Sequence, residues 1–320
     1  MSKFTKALEK IQNEKLEKPA SAEKKPSPYG LPKELEEPVR HWDKGVPSVK
    51  NATPETCIVT YHFPNSLITE QYRMLKANLK TQLEKEKAKV ILISSAVHGE
   101  GKTVTAANLA ISLAETEDCK VALIDADLRR GRVTDYLGLG KNLKGLSELL
   151  AQDLSFKQLM VKNSLPNLLI LPKGKTVRNP SELVESQKFR VLVAELRNHF
   201  DYILIDAPPI MSVADANILA RETDGLLMVV RSGRTPKNVI AQAHHLFEQA
   251  GVRILGYVLT GVEYQSADAR YYYHQYYYNH VDKKKRFKNH VERYLKKAGE
   301  KFQKAEEKFN QWWEKTVLKK

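Results

Sequence analysis

The chain has 320 residues, of which 42% are hydrophobic, and a formal net charge of +14 at pH 7. This length accommodates one α/β domain of about 200 residues with an extension at each end. Its two cysteines and nine histidines match no metal-binding or redox spacing, and no apolar run approaches the roughly 18 residues that span a membrane. The composition argues against a disulfide scaffold, a zinc module and a membrane-spanning protein, and favours a reducing cytoplasm.

The chain begins with two segments that lie outside the predicted domain. Residues 1–18 alternate lysine and glutamate around apolar positions, which predicts a short amphipathic helix. Residues 19–64 contain recurrent prolines and few apolar clusters, which predicts a linker. Residues 67–86 predict a helix. This helix carries three charged residues at a spacing of three, namely Glu70, Arg73 and Lys76.

A strand, a glycine-containing loop and a helix follow in succession. Residues 89–95 are a short apolar run, the loop reads AVHGEGKT, and a helical pattern covers 102–116. Backbone amides of such a loop and the positive end of the helix bind phosphate. Ala96 replaces the first glycine of the usual pattern, so the loop must enter with a backbone that alanine tolerates. A turn with a chance GKT is the alternative. The residues predicted to bind nucleotide are Gly99, Glu100, Gly101, Lys102, Thr103 and Val104.

Two later strands end in aspartates. The strand at 120–125 is followed by ADLRR, and the strand at 202–206 is followed by two prolines. Ligands of open α/β sheets bind at the carboxyl ends of the strands, so these carboxylates should meet the phosphate loop. A helix cap is the alternative for any single aspartate. The predicted ligands of Mg²⁺ are Thr103, Asp125, Asp127 and Asp206.

The remaining elements continue the alternation of helices and strands. They are predicted as short helices within 131–161, a strand at 167–171, a helix at 181–199, a helix after Val213, a strand at 225–231, a helix at 236–250 and a strand at 253–261. This order predicts an α/β P-loop NTPase fold across 65–264, with a mostly parallel sheet and helices on both faces.

A tail at 265–282 follows the last predicted strand, and six of its residues are tyrosines within eight positions. A further strand is the alternative, but tyrosines on both faces of a strand would require a partner for every hydroxyl. We therefore interpret the run as a set of phosphoryl acceptors. The acceptors are Tyr271, Tyr272, Tyr273, Tyr276, Tyr277 and Tyr278.

These motifs resemble those of the bacterial tyrosine kinases (BY-kinases). SSAVHGEGKT, ALIDADLRR and ILIDAPP resemble the family's Walker A, Walker A′ and Walker B motifs, and the tyrosine run resembles its autophosphorylation cluster. The charged helix is similar to the family's oligomerisation motif E-x-x-R-x-x-R, with Lys76 in place of the last arginine. NPSEL at 179–183 is similar to the family's NPxEL segment. The resemblance covers about residues 65 to 278.

The resemblance implies an ATP- and Mg²⁺-dependent tyrosine autokinase whose subunits phosphorylate one another in a ring. Asp125 and Asp127 would share the roles of base and metal ligand, and Asp206 would hold a water ligand of the metal. Arg129 would either stabilise developing charge or pair with an aspartate, two readings that the sequence leaves open. The implied catalytic residues are Lys102, Asp125, Asp127 and Arg129.

The resemblance also implies partners and a setting. The family is associated with synthesis and export of capsular or extracellular polysaccharide, and it works with a membrane-embedded chain-length regulator. We expect that regulator, which would also activate the kinase, on a separate chain. We also expect a cognate tyrosine phosphatase. The expected location is the cytoplasm, at the inner face of the cell membrane.

Residues 283–320 lie beyond the family pattern. They hold 14 Lys or Arg and five Glu, a net +9 of the chain's +14, with apolar residues three and four apart. This predicts a basic amphipathic helix. Binding to a membrane surface is the favoured interpretation, because large aromatics suit a lipid interface, and a protein partner or nucleic acid is the alternative. Phosphates on the adjacent tyrosines, at about −1.5 to −2 charges each, would mask these bases and weaken binding to anionic membranes.

Two other functions remain open from sequence. One is a partitioning or septum-placement P-loop ATPase, which acts as a nucleotide-dependent switch for membrane or partner binding. Such ATPases usually carry an extra lysine early in the loop, where this chain has Val97 and His98. The other is a pseudo-kinase scaffold, because Ala96 and Lys76 depart from the usual motifs.

Overall fold

The structure is a computed structural model that describes residues 46, 47, 49, 52–86, 88–152, 154–162, 165 and 167–262. The predicted helix at 1–18, the tyrosine cluster and the basic segment 283–320 lie outside the described residues. Among the helices in the described part of the chain, none is both long enough and apolar enough to cross a lipid bilayer.

Seven strands form one sheet in the order β3-β4-β2-β5-β1-β6-β7. Every pairing in this sheet is parallel except the antiparallel pair of β3 and β4 at one edge. The parallel arrangement places the carboxyl ends of β1, β2 and β5 side by side. The strands are β1 (Val90–Ser95), β2 (Val121–Asp125), β3 (Val161–Lys162), β4 (Leu168–Leu171), β5 (Tyr202–Asp206), β6 (Gly225–Arg231) and β7 (Ile254–Thr260).

Helices cover both faces of the sheet, as the alternation of elements predicts. In the described part of the chain they are α1 (Val59–His62), α2 (Leu67–Glu86), α3 (Lys102–Ala114), α4 (Val133–Tyr136), α5 (Leu146–Ala151), α6 (Phe156–Leu159), α7 (Pro180–Glu185), α8 (Gln187–His199), α9 (Asp215–Ala220) and α10 (Lys237–Gln249).

The side chains of the central strand β1 show how the two core layers arise. Successive residues of a strand point to opposite faces. Val90 and Leu92 pack in the layer that contains Phe247 of α10, and Ile91 and Ile93 pack in the layer that contains helices α2 and α3. All six residues of β1 are buried, which is why the strand reads as a continuous apolar run. The predicted α/β fold with a mostly parallel sheet is confirmed.

The predicted C-terminal boundary of the linker 19–64 is wrong, because the chain packs against the domain before residue 64. Ile58 is fully buried, and Thr60 of α1 donates both its amide and its hydroxyl to Asn108 Oδ1 of α3 at 3.0 Å. Further back, Val49 N donates to Lys162 O at 3.0 Å, so the main chain pairs alongside β3. The sequence did not predict this packing, because the segments between the prolines at 47, 54 and 64 are too short to show a hydrophobic periodicity.

The helix predicted at 181–199 is two helices, α7 and α8, separated at Ser186. This residue has an extended conformation (φ −64°, ψ 153°), and its hydroxyl donates to Leu183 O at 2.6 Å. Serine competes with helical hydrogen bonding in this way, and the amphipathic pattern continues across the break. The two-residue strand β3 was not predicted; it begins at the last residue of the range 131–161 that was assigned to short helices.

Candidate active site

The phosphate loop connects β1 to α3 and ends at the N-terminus of α3. Gly99 (φ 80°) and Gly101 (φ 92°) adopt the left-handed conformation that favours glycine. Ala96 is fully buried and is not among the described residues with positive φ, as its side chain requires. Gly101 is the N-cap of α3 and has no side chain with which to cap the amides of the first turn. Those amides are the groups that bind phosphate in such loops.

Lys102 lies between two carboxylates. Its Nζ is 3.2 Å from Asp127 Oδ2 and 3.5 Å from Asp206 Oδ1, and it donates to Thr103 Oγ1 at 3.3 Å. Burial lowers the pKa of the ammonium, but the charges of Asp206, Asp127 and Asp125 outweigh it, so the Lys102 pKa lies above its usual value. Lys102 is therefore charged and brings the loop and both aspartate motifs together.

Asp125 and Asp206 end neighbouring strands at the same level of the sheet. Their Cα atoms are register partners across β2 and β5, and both carboxyl groups are fully buried. Asp125 Oδ2 accepts from Val133 N at 3.1 Å. Gly131 packs so closely that a Cβ there would lie 2.0 Å from Asp125 Oδ1, which explains the glycine at this position. The predicted convergence of the strand-end aspartates is present.

Burial changes the protonation of this pair. Desolvation and then the charge of Asp206 raise the pKa of Asp125 to about 8. Desolvation also raises the pKa of Asp206, against the opposing effects of the Lys102 ammonium and the Thr103 hydroxyl. Without a bound cation, the pair favours holding a proton.

The carboxylate edge fits the Mg²⁺ ion that the fold implies. Among the described residues, Asp125 Oδ1 and both oxygens of Asp206 are buried and have no hydrogen-bond partner, which is costly unless a cation or a polar group supplies one. Among the described residues, no group of three or more His, Cys, Asp or Glu side chains is arranged to hold a metal unaided. Mg²⁺ does not require such a group, because it usually takes one or two carboxylates and completes its shell with water and phosphate oxygens.

Arg129 pairs with an aspartate, one of the two roles considered from sequence. Its Nε lies 3.0 Å from Asp215 Oδ2 of α9, and its Nη2 donates to Ser181 Oγ of α7 at 3.1 Å. Ser181 also donates to Asp215 Oδ1 at 2.5 Å. Because Asp215 is 1% exposed, this network fixes the loop after β2 against two helices.

The Glu100 side chain bonds inside the protein. Its carboxyl group accepts from Val97 N at 2.8 Å and from Thr235 Oγ1 at 2.5 Å, and the residue is 1% exposed. Among the predicted nucleotide-binding residues, Glu100 can therefore contribute its main chain but not its side chain. Val104 follows in the first turn of α3.

The three residues of the predicted oligomerisation motif make contacts within this chain. Arg73 pairs with Glu70 on the same helix and lies 3.9 Å from Glu115. Lys76 Nζ donates to Ser112 O at 2.7 Å, and burial lowers the Lys76 pKa. Met74, between them in sequence, is 62% exposed.

Sequence reasoning missed the residues that support the site from a distance. Asp215, Ser181 and Thr235 bond to Arg129 and Glu100 across separations of 52 to 135 residues. No local pattern marks such pairs. The only signal was indirect, since Ser181 lies within the NPSEL segment.

Comparison with known proteins agrees with this geometry. The family model described as "AAA domain" matches residues 88–249. The chain is 34% identical over 195 residues to tyrosine-protein kinase CpsD of Streptococcus agalactiae, covering 61% of this chain and 83% of that protein. It is 37% identical over 198 residues to tyrosine-protein kinase YwqD of Bacillus subtilis, covering 62% and 83%.

A solved structure gives the same result. The kinase domain of the Escherichia coli tyrosine kinase ETK superposes with a TM-score of 0.64 at 29% identity, covering 68% of this chain and 85% of that one. The family-model match at 88–249 includes the phosphate loop and both aspartate motifs. The chain belongs to the bacterial tyrosine kinases, which are tyrosine-protein kinases built on the P-loop ATPase fold.

Proposed function

We propose that this chain is an autokinase that transfers the γ-phosphate of Mg²⁺-bound ATP to the tyrosines at 271–278 of a neighbouring copy. The observation that carries the proposal is the position of Lys102, between Asp127 and Asp206 at an uncapped helix N-terminus. Phosphoryl transfer needs this combination of amide donors, one mobile cation and acidic groups.

Different residues of the site would bind the phosphates and the metal ion. The loop amides and the first turn of α3 would bind the phosphates, and Lys102 would leave its carboxylates to reach the β- and γ-phosphates. Thr103, Asp125, Asp127 and Asp206 would hold Mg²⁺ directly or through water. The ion, when bound, neutralises charge that develops on the phosphate oxygens.

The acceptor needs a base, because a tyrosine hydroxyl has a pKa of about 10 and arrives protonated. The resemblance to the bacterial tyrosine kinases assigns this role to Asp125 or Asp127. Asp127 is 2% exposed and is held by Arg130 N at 2.9 Å, which fixes one oxygen and leaves Oδ2 beside Lys102. When Lys102 turns to the nucleotide, that oxygen becomes available to accept the phenolic proton.

Transfer between copies suits the short connection to the tail. Strand β7 ends at Thr260, eleven positions before Tyr271, and Thr260 itself is bonded to the phosphate loop. We propose that each tail is offered to the site of a neighbouring copy, as the family resemblance implies. A ring of copies would present each tail to the next site, with Glu70, Arg73 and Lys76 at the contact.

The cellular role that we propose is control of capsular or extracellular polysaccharide synthesis and export. A membrane-embedded chain-length regulator on a separate chain would activate the kinase, and a tyrosine phosphatase would reset it. Residues 283–320 would add contact with the inner face of the membrane. The relatives named as tyrosine-protein kinases support the kinase activity on which this role depends.

The test is incubation of the purified full chain with ATP and Mg²⁺, followed by detection of phosphotyrosine. We expect phosphotyrosine in the wild-type chain and none in Lys102→Met. ATP hydrolysis without phosphotyrosine would instead identify a nucleotide-driven switch. Absence of both, with the regulator added, would identify a pseudo-kinase.

A further inference from the structure

Glu100 is a buried acidic residue inside the phosphate loop, and phosphate binding leaves its side chain unexplained. It lies between Gly99 and Gly101, the two left-handed positions, and is 1% exposed. One carboxyl oxygen, Oε2, accepts from Val97 N at 2.8 Å, so the side chain closes the loop onto its own beginning.

The other carboxyl oxygen reaches the segment that follows β6. Oε1 accepts from Thr235 Oγ1 at 2.5 Å and from Arg231 N at 3.4 Å. The main-chain oxygen of Glu100 accepts from Thr260 Oγ1 at 2.6 Å, at the end of β7. Glu100 therefore links the phosphate loop to β6 and β7, the two strands that lie beyond β1 in the sheet.

The neighbouring glycines reinforce these contacts. Gly99 O accepts from Arg231 Nη1 at 3.2 Å. A Cβ at Gly101 would lie 3.4 Å from Thr260 Cγ2, so the loop rests against the threonine side chain. These contacts hold the phosphate loop, and with it the loop amides, in place before a ligand binds. Such preorganisation favours tight phosphate binding.

We infer that Glu100 is a positioning residue for nucleotide binding, with Thr235 and Thr260 as its partners. It orients the loop amides by fastening the loop to β6 and β7 and does not touch the nucleotide with its side chain. The inference rests on the proposed function, because it concerns the same nucleotide site. Through Thr260, the end of β7, the strand that precedes the acceptor tail in sequence, is hydrogen-bonded to the phosphate loop.

The test measures the Kd of the full chain for Mg²⁺-ADP and the Tm of the nucleotide-free chain. Thr235→Val removes the hydroxyl at constant shape, and Thr235→Ser retains it. Thr223→Val is the matched control, because Thr223 Oγ1 donates to Ala220 O at 2.8 Å and the residue lies before the amino-terminal end of β6, whereas Thr235 follows its carboxyl end. Each valine variant loses one part-buried hydroxyl hydrogen bond.

We expect Thr235→Val to bind Mg²⁺-ADP about tenfold more weakly than wild type, since one hydrogen bond to a charged group is lost. Thr235→Ser should bind within about threefold of wild type, and Thr223→Val should bind like wild type although it also lowers the Tm. Thr260→Val and Thr260→Ser should repeat the pattern. In kinase assays, the KM for ATP should rise more than kcat falls.

Two outcomes would overturn the inference, and they differ in what else they affect. If Thr235→Val and Thr260→Val bind Mg²⁺-ADP as tightly as wild type, Glu100 does not position the loop, and the proposed function stands. If the wild-type chain itself binds no Mg²⁺-ADP, the proposed function falls and the inference falls with it.

Discussion

Asp125 and Asp206 lie side by side in register on β2 and β5, both fully buried, and three of their four carboxyl oxygens have no hydrogen-bond partner in the part of the chain that the structure describes. Lys102 is the nearby cation, 3.5 Å from Asp206 Oδ1. The nucleotide-free site therefore holds more acidic groups than its own cation can neutralise. This imbalance suits a site that binds an additional cation together with its substrate.

The imbalance predicts a pH dependence of stability. The Asp125 pKa rises from 3.8 to about 8 on folding, so the folded state binds the proton more tightly than the unfolded state. Its stabilising contribution is complete below the unfolded value and is lost as the pH rises towards about 8. We expect the free energy of unfolding of the nucleotide-free chain to fall more steeply between about pH 5 and about pH 8 than that of Asp125→Asn. Parallel denaturant-derived curves for the two proteins would contradict this.

Asp206→Asn should separate stability from function. An amide removes one of two adjacent buried acidic groups, and Lys102 keeps its ion pair with Asp127, so the nucleotide-free chain should gain about 1 kcal/mol in stability. The same change removes a predicted ligand of the Mg²⁺ shell, so the rise in Tm on adding Mg²⁺-ADP should shrink sharply. Thermal unfolding with and without Mg²⁺-ADP measures both effects. A destabilised variant that keeps the full ligand-induced rise would argue against the assignment.

Arg129 and Asp215 should be energetically coupled. Their contact, with Ser181 as a shared partner, is partly buried and links three segments. We expect a double-mutant cycle of Arg129→Gln and Asp215→Asn to give a coupling energy of about 1 to 3 kcal/mol.

The more exposed pair Arg190–Glu222, at 3.0 Å, provides a control for that cycle. Its coupling energy should stay below about 1 kcal/mol, because solvent screens surface ion pairs. Equal coupling in the two cycles would mean that the Arg129 network adds nothing beyond a surface ion pair.

Asp224 should stabilise the fold without affecting nucleotide binding. It accepts from Lys89 N at 2.7 Å and Val90 N at 2.8 Å at the start of β1, and it forms a two-pronged pair with Arg197 at 2.7 Å. Burial raises its pKa, but the hydrogen bonds from Arg197 and the two amides outweigh this and leave the pKa below its usual value.

Asp224→Asn should therefore cost about 1.5 to 3 kcal/mol at neutral pH. Because the folded pKa is depressed, the contribution is present above the unfolded value of 3.8 and is lost as the pH falls through the folded value. The stability difference between wild type and variant should shrink in that acidic range, while the Kd for Mg²⁺-ADP at neutral pH stays unchanged. A difference that persists unchanged into acid would contradict the assignment.

Local sequence predicted the elements that carry the chemistry. Strand β1, the glycine loop and the aspartates after β2 and β5 are each specified by neighbouring residues, and parallel pairing then brings Asp125, Asp127 and Asp206 to Lys102. The strand at 225–231 was predicted with the boundaries that the structure has, because a buried parallel strand is apolar throughout.

What the sequence concealed depends on contacts between distant residues. Helix α1 forms because Ile58 and Thr60 dock on α3, and the break at Ser186 separates two helices whose apolar pattern is continuous. The inward turn of Glu100 follows from Thr235 and Thr260, which lie 135 and 160 residues further along the chain. Such partners have no local signature, since only the tertiary fold brings them together.

The measurement that tests the central claim most directly mixes two disabled forms of the chain. Lys102→Met keeps the tyrosines as an acceptor, and a variant with all six tyrosines at 271–278 changed to phenylalanine keeps the donor site. After incubation with ATP and Mg²⁺, mass spectrometry should find phosphotyrosine between 271 and 278 on the Lys102→Met chain in the mixture and on neither chain alone. If the acceptor chain stays unmodified in the mixture while the wild-type chain is phosphorylated, transfer between copies is wrong. If the wild-type chain also stays unmodified, with the regulator present, the kinase assignment itself fails.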